Sequence, residues 1–451
     1  MDRAVSFEAL SRFSADFDAV PQYTVAMNAV VQNGINASAV NYEAQRKYLH
    51  AFSVEVPAGD VCNQKRSGRC WMFAALNVMR LEVMKNLNLA NMELSQSYPL
   101  FYDKLEKANY FLENILDTLE EETDSRVIAF LLSAPMGDGG QWDMFASLLY
   151  KYGAVPKDVM PESSASSGTA EMDRYLTRKL REYAITLRTM HAEGKTLEEM
   201  RQVKDNMMET VYRILCISLG KPPVKFNWET RDKDGKFIRM EGVTPQEFFR
   251  QYVGWDLDEY CTVINAPTAD KPYGKTYTVQ CPGSVKDGRY PVKYLNLPME
   301  ELKRIAVDQL KDGRPVWFGS DVGQFSTRDT GYLCLDAMNV QALLDTDFPM
   351  TKAQRLDYGE SLMTHAMVLT GVNLDENGKP NRWNVENSWG DEVGKKGYFV
   401  ASDEWFDEFV YQILLHKKYF TADEAEQFEQ EPVVLKPWDP MGSLAEFLNE
   451  Y

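Results

Sequence analysis

A mainly apolar, helix-forming stretch runs from Trp71 to Leu87, and Gly68 closes the loop before it. That stretch predicts a helix with Cys70 at its first turn. Leu94-Ser95-Gln96 reads as the start signal of another helix. The polar run Pro161 to Gly168 is a loop. Beyond it, Tyr175, Leu176, Leu180, Tyr183, Ala184 and Leu187 mark one helical face. Leu197, Met200, Val203, Met207, Val211, Ile214 and Leu215 mark a second, stopped by Gly220-Lys221-Pro222-Pro223. From about Arg314 the pattern changes to strands, over Pro315–Gly319, His365–Val372, Arg382–Asn387 and Gly397–Ala401. Residues 1–60 are mixed and helical in places. The chain thus reads as α+β, with a helical first half, a β-rich second half and a cleft expected between them.

Three fragments of this pattern carry chemistry. Cys70 falls at the first turn of the apolar helix, where the helix dipole favours a thiolate. Gln64, six residues upstream, is placed to aim a carboxamide N–H at an oxyanion forming beside that sulfur. His365 stands at the entrance of a buried strand, and Asn387 and Trp389 close another. A nucleophile needs a base to take and return its proton, and a third group to orient that base. Cys70, His365 and Asn387 supply them in that order, and Trp389 can cover the Asn–His hydrogen bond. Only four histidines occur in 451 residues, so His365 is not a product of abundance. His50, His191 and His416 stand in polar or helical contexts and read as structural or solvated. Cys62 has no base near it and reads as a structural thiol.

At these residues the chain resembles the papain-like cysteine peptidases, and within them the aminopeptidase C / bleomycin hydrolase family. The motifs are Asn63-Gln64 through Cys70-Trp71-Met72-Phe73-Ala74, Glu93 to Tyr98, Asp103 to Phe111 and Gly137-Asp138-Gly139-Gly140-Gln141-Trp142. Thr364-His365-Ala366-Met367, Val385 to Gly390 and Pro437 to Gly442 complete the set. The resemblance implies a papain-like fold of two subdomains with an inserted helical subdomain, acting as a cysteine aminopeptidase through a thioester. It implies Cys70 as nucleophile, His365 as base and acid, and Asn387 as orienter. Gln64 and the Cys70 amide would form the oxyanion hole, and Gly139-Gly140 the segment that pairs with substrate backbone. Read alone, Gly137-Asp138-Gly139-Gly140 is an ordinary turn. The implied organisation is a packing segment at 1–60, the nucleophile half at 61–160 and a mainly helical insertion at 161–290. The half with His and Asn follows at 291–436, then an arm at 437–451 in or near the cleft. The resemblance also implies a homohexamer acting on peptides, with no metal or cofactor.

Composition narrows the setting. The start of the chain is polar and acidic, unlike the roughly 15–30-residue apolar-centred leader of an exported protein. No run of about 18 apolar residues is present to span a membrane. Six scattered cysteines without C-x-x-C spacing read as reduced thiols and not as a zinc site, so a cytoplasmic enzyme is expected. The formal charge is −18, while residues 171–250 hold 16 Lys/Arg against 13 Asp/Glu. In the family this inserted region lines a hexamer channel, where some members bind nucleic acid. A surplus of three positive charges over eighty residues does not make a nucleic-acid surface, which needs a clustered basic face.

The C-terminal stretch Glu429 to Met441 holds three prolines and cannot continue a helix. In the family such an arm lies in the cleft, and its terminal carboxylate meets the substrate's α-amino group. Chains of the family stop at or one residue past the position of Ala445. This chain continues through Glu446-Phe447-Leu448-Asn449-Glu450-Tyr451. Trimming to Ala445, self-inhibition and a related endopeptidase or oligopeptidase activity are the alternatives. A nucleic-acid-binding hexamer with secondary peptidase activity is the reading from another class.

Overall fold

The computed structural model describes residues 3–281 and 283–446. Its centre is the helix Cys70–Asn86. Twelve of its residues are buried, from Cys70 through Arg80 and at Val83, as its all-round apolar sequence requires. Burial of Met72, Phe73, Leu76 and Met79, each at most 1% exposed, contributes roughly 1.5–3 kcal/mol apiece. Helices Ser97–Asp117 and Trp142–Tyr152 pack nearby, and the helix rests on a large sheet. The Trp317 indole N–H reaches across to the Trp71 carbonyl at 3.2 Å.

The sheet's central strands lie in the spatial order Tyr260–Ile264, Val410–His416, Val316–Ser320, His365–Leu374, Pro380–Glu386 and Tyr398–Ser402. Each neighbouring pair is antiparallel. His365 opens its strand opposite Ser320. Val368 faces Glu386, so the antiparallel register carries Asn387 back toward the His365 end. The first eight residues of the His365 strand are buried, which is why they read as one apolar run.

The helices Ala170–Ala192 and Leu197–Leu219 pack on Ser97–Asp117 through Leu176, Leu180, Leu187, Met207, Val211 and Leu215. Thr196 and Glu199 form a capping box at the start of the second. Tyr175 departs from the expected face and is 53% exposed. The stretch 161–290 also carries a hairpin, Phe226–Arg231 with Phe237–Val243, and two strands of the large sheet, Tyr260–Ile264 and Lys275–Val279. These sheet strands are five residues each, too short for periodicity to separate strand from helix.

The C-terminal segment first adds a short parallel strand, Val433–Leu435, beside Lys275–Val279. It then turns through Pro440–Gly442 and Ser443–Glu446. Phe447 to Tyr451, the greater part of the extension past Ala445, lie outside the described residues.

Candidate active site

The helix at Cys70 starts without a side-chain cap on its N-cap residue, Arg69. Its first amides are therefore left for other partners. The Cys70 sulfur meets the amides of Trp71 and of Ala366, the residue after His365. Helix start and strand start thus converge on one point. On the far side of the imidazole, Nε2 lies 2.8 Å from Asn387 Oδ1. The same oxygen accepts the Ser388 amide at 2.8 Å, which fixes it as the acceptor face of the carboxamide. Nε2 must then carry the proton, and Nδ1 is left as the basic nitrogen. The Trp389 indole lies over His365 with centroids 4.9 Å apart, and the Arg328 guanidinium covers the indole at 4.7 Å. The side chains expected to act together, Cys70, His365, Asn387 and Trp389, are therefore neighbours.

Gln64 joins them through a second stitch. Its amide donates to the Ser388 carbonyl at 2.8 Å, and Gly390 donates to the Cys62 carbonyl at 3.1 Å. The Gln64 carboxamide oxygen accepts from Ser388 Oγ at 2.5 Å. Its nitrogen gives one proton to the Ser67 carbonyl at 2.6 Å. An amide nitrogen has two protons, so one remains for a further acceptor.

Electrostatics depart from the expectation of a thiolate. Burial pushes the Cys70 thiol up to about 11, against the hydrogen bonds from Ala366 and Trp71 that favour the anion. Burial also lowers His365 to about 4, helped by Arg328 and opposed by the bond to Asn387. Burial thus favours the uncharged form of each group. The helix terminus acts in the expected direction, but desolvation outweighs it once the cleft is covered.

The two glycines are required by close approach and not by backbone angle. A Cβ on Gly139 would stand 2.2 Å from the Leu444 carbonyl oxygen and 3.0 Å from Ala445. One on Gly140 would stand 2.5 Å from the Trp71 indole. Gly139 and Ala445 are thus brought together, and the backbone lying against Gly139 is the chain's own arm. Lys271 and Asp439 pair at 2.9 Å to hold that arm. The Met441 carbonyl accepts from Gln141 at 3.3 Å and from Tyr294 at 3.2 Å. Ser443 Oγ donates to the Met363 carbonyl at 2.9 Å, two residues before His365.

Sequence reasoning missed the polar residues beneath the nucleophile loop. Arg69 is fully buried and forms a two-pronged pair with Glu162, at 3.0 and 2.8 Å. Asp138, quoted above only as part of a glycine segment, takes the Gly68 amide at 2.7 Å. A buried acid flanked by glycines, with lysines at 104 and 107, was the available signal.

Residues 4–442 match the sequence model of the Peptidase C1-like family. The chain is similar to aminopeptidase C of Streptococcus thermophilus, 48% identical over 98% of this chain and 99% of that one. Aminopeptidase C of Listeria monocytogenes is 47% identical over 99% of this chain and 100% of that one. The crystal structure of pepw from Lactobacillus rhamnosis has a TM-score of 0.96 at 51% identity, covering 98% of this chain and 99% of that one.

Proposed function

The chain belongs to the peptidase C1-like family and is a papain-like cysteine aminopeptidase, and from that premise we propose that Cys70, His365, Asn387 and Gln64 perform the acyl transfer. The observation that carries this reading is the meeting of the Cys70 sulfur with the Ala366 amide while His365 Nε2 is held 2.8 Å from Asn387. Burial favours the neutral form of both groups, so the thiol proton passes to His365 Nδ1 as sulfur attacks the substrate carbonyl carbon. The carbonyl oxygen becomes an oxyanion, stabilised by the Cys70 amide and the second Gln64 proton. As the C–N bond breaks, His365 gives its proton to the leaving amine and a thioester remains. Water then attacks the thioester with His365 as base, and Cys70 leaves as the thiol. Asn387 holds the ring in the Nε2–H form throughout.

Gln64→Ala is expected to lower kcat by roughly 10²–10³-fold, the usual loss for one oxyanion donor. A variant with the wild-type kcat removes Gln64 from that role.

Peptides with a free N-terminus are the substrates this reading requires. Gly139 and Gly140 are the backbone that borders the bound substrate, Trp389 shields the His–Asn pair, and Ala445 marks where the arm meets the substrate's first residue. The arm's approach to within van der Waals distance of Gly139 supports this, since it fills the cleft that a longer peptide would use. The test compares an aminoacyl reporter amide with its N-acetyl counterpart. The free amine should be cleaved faster by roughly 10²-fold or more, as expected for a buried charge left unpaired. Equal rates overturn the aminopeptidase reading.

A homohexamer in the cytoplasm completes the proposal. Helices Phe7–Asp18 and Pro21–Asn33 bury none of their residues, and Phe7, Phe13, Val25 and Val31 are all at least 50% exposed. An apolar face of this kind suits another copy of the chain. All six cysteines are free, as a reducing compartment would keep them. Light scattering at micromolar concentration should give about six times the chain mass, and a monomer would overturn this part.

A further inference from the structure

A buried charge cluster lies directly under the loop that delivers Cys70. Asp138 brackets the nucleophile from both sides. Its carboxylate oxygen Oδ2 accepts the Gly68 amide at 2.7 Å, two residues before Cys70. Its backbone carbonyl accepts the indole N–H of Trp71, one residue after, at 2.7 Å. Oδ2 also accepts from the Thr169 hydroxyl. Oδ1 takes the Lys104 ammonium at 2.6 Å. Asp138 is 1% exposed and Lys104 0%, so neither charge is screened by solvent.

Lys104 also lies 2.7 Å from Asp173, so two carboxyl groups share one buried cation. The charge settles on Asp138, which Lys104, Thr169 and Asp173 hold far below the usual carboxylate range. Burial and the neighbouring Asp138 hold Asp173 well above it. Asp138 is therefore the carboxylate of the two, and its bond to Gly68 is charge-assisted. Such bonds are roughly twice as strong as neutral ones.

We infer that Asp138 is a positioning residue for the nucleophile, fixing the Gly68–Cys70 turn through the Gly68 amide while Lys104 balances its charge. It does not touch the reacting atoms. Its effect is on where the Cys70 sulfur and the Cys70 amide stand relative to the substrate carbonyl. A displacement of about 1 Å in such a group costs on the order of 10² in rate. The inference rests on the reading of Cys70 as nucleophile.

Asp138→Asn alone would leave Lys104 buried beside a neutral amide, a change that can unfold the protein. The primary variant is therefore the pair Asp138→Asn with Lys104→Met, which removes both charges together. Thr169→Val is the milder companion, since it deletes one donor and keeps both charges. Each is followed by thermal melting, by kcat and KM on an aminoacyl reporter amide, and by the rate at which iodoacetamide alkylates Cys70, read by peptide mass. The paired variant should lose roughly 10- to 100-fold in kcat with KM within about twofold. Alkylation of Cys70, compared at equal thiolate fraction because the Asp138 charge itself raises the thiol, should slow in parallel, and Thr169→Val, which keeps both charges, should show a smaller loss of the same kind. A purely structural role would lower the melting temperature and leave kcat per folded molecule and the alkylation rate unchanged, and that result overturns the inference. Should the paired variant not fold, unchanged kcat and alkylation in Thr169→Val overturn it equally. Alkylation of wild-type Cys70 that leaves hydrolysis intact would instead refute the nucleophile itself.

Discussion

Cys70→Ala is expected to abolish hydrolysis of aminoacyl reporter amides and to leave the fold in place. The side chain is small and 3% exposed, so its loss opens little space at the start of the central helix. The chemistry has no substitute for it, because sulfur forms the covalent bond to the acyl group. His365→Ala should also lose nearly all activity, since it removes the imidazole that takes the proton on the proposed reading. Asn387→Ala should keep a measurable part, because an unoriented imidazole still samples the productive geometry. Rates are read against melting temperature, so that misfolding is told from lost chemistry. Wild-type turnover by Cys70→Ala would end the thioester mechanism. Residual activity in Asn387→Ala below that of His365→Ala would reverse the roles of base and orienter.

The nucleophile helix, the His365 strand and the strand leading to Asn387 were legible because each is a strong local pattern. The helix expected from Trp71 to Leu87 runs over Cys70–Asn86, and the strand expected from His365 runs to Leu374. Tyr260–Ile264 and Val410–His416 were missed. Each gains its identity from the other, since Cys261 pairs with Leu415 across some 150 residues of chain. The charge cluster was hidden for a similar reason. Asp138 meets Lys104 across 34 residues and Gly68 across 70, and neither separation has a period. The thiol pKa was misjudged in direction because the helix dipole is a local feature, whereas the burial that outweighs it comes from tertiary packing that has no local signal. Gly139 as a place where backbone pairs was implied by the family resemblance, since read alone its segment is an ordinary turn. That the approaching backbone is Leu444–Ala445 follows only from tertiary contact.

Deleting the arm from Pro437 onward should turn a strict exopeptidase into one that cuts inside N-blocked peptides. The arm is bound by Gln141, Tyr294, Lys271 and Met363, which come from four separate stretches of the chain. Arg126 also stacks on Trp438 at 3.7 Å. Its removal frees the edge beside Gly139 for substrate backbone on the amino side of the scissile bond. On the proposed reading it also takes away whichever negative group of the arm meets the substrate's ammonium. The same deletion rehydrates the catalytic pair. The Cys70 thiol should fall from about 11 toward its ordinary value of 9.0, and His365 should rise from about 4 toward 6.5. Alkylation of Cys70 by iodoacetamide at pH 7 should therefore accelerate, because the thiolate fraction grows. Unchanged alkylation would mean that the sheet and not the arm desolvates the thiol. A chain ending at Ala445 separates the two functions of the arm, since it keeps the strap and presents a carboxylate beside Gly139. It should remove single residues from free N-termini faster than the chain carrying Glu446 to Tyr451. If the longer chain, verified intact to Tyr451 by mass, is already as fast and as strict, the carboxylate at Ala445 is not the anchor. The ammonium must then be met by Glu446 or by the displaced terminus, and substitution of Glu446 by Gln distinguishes those two.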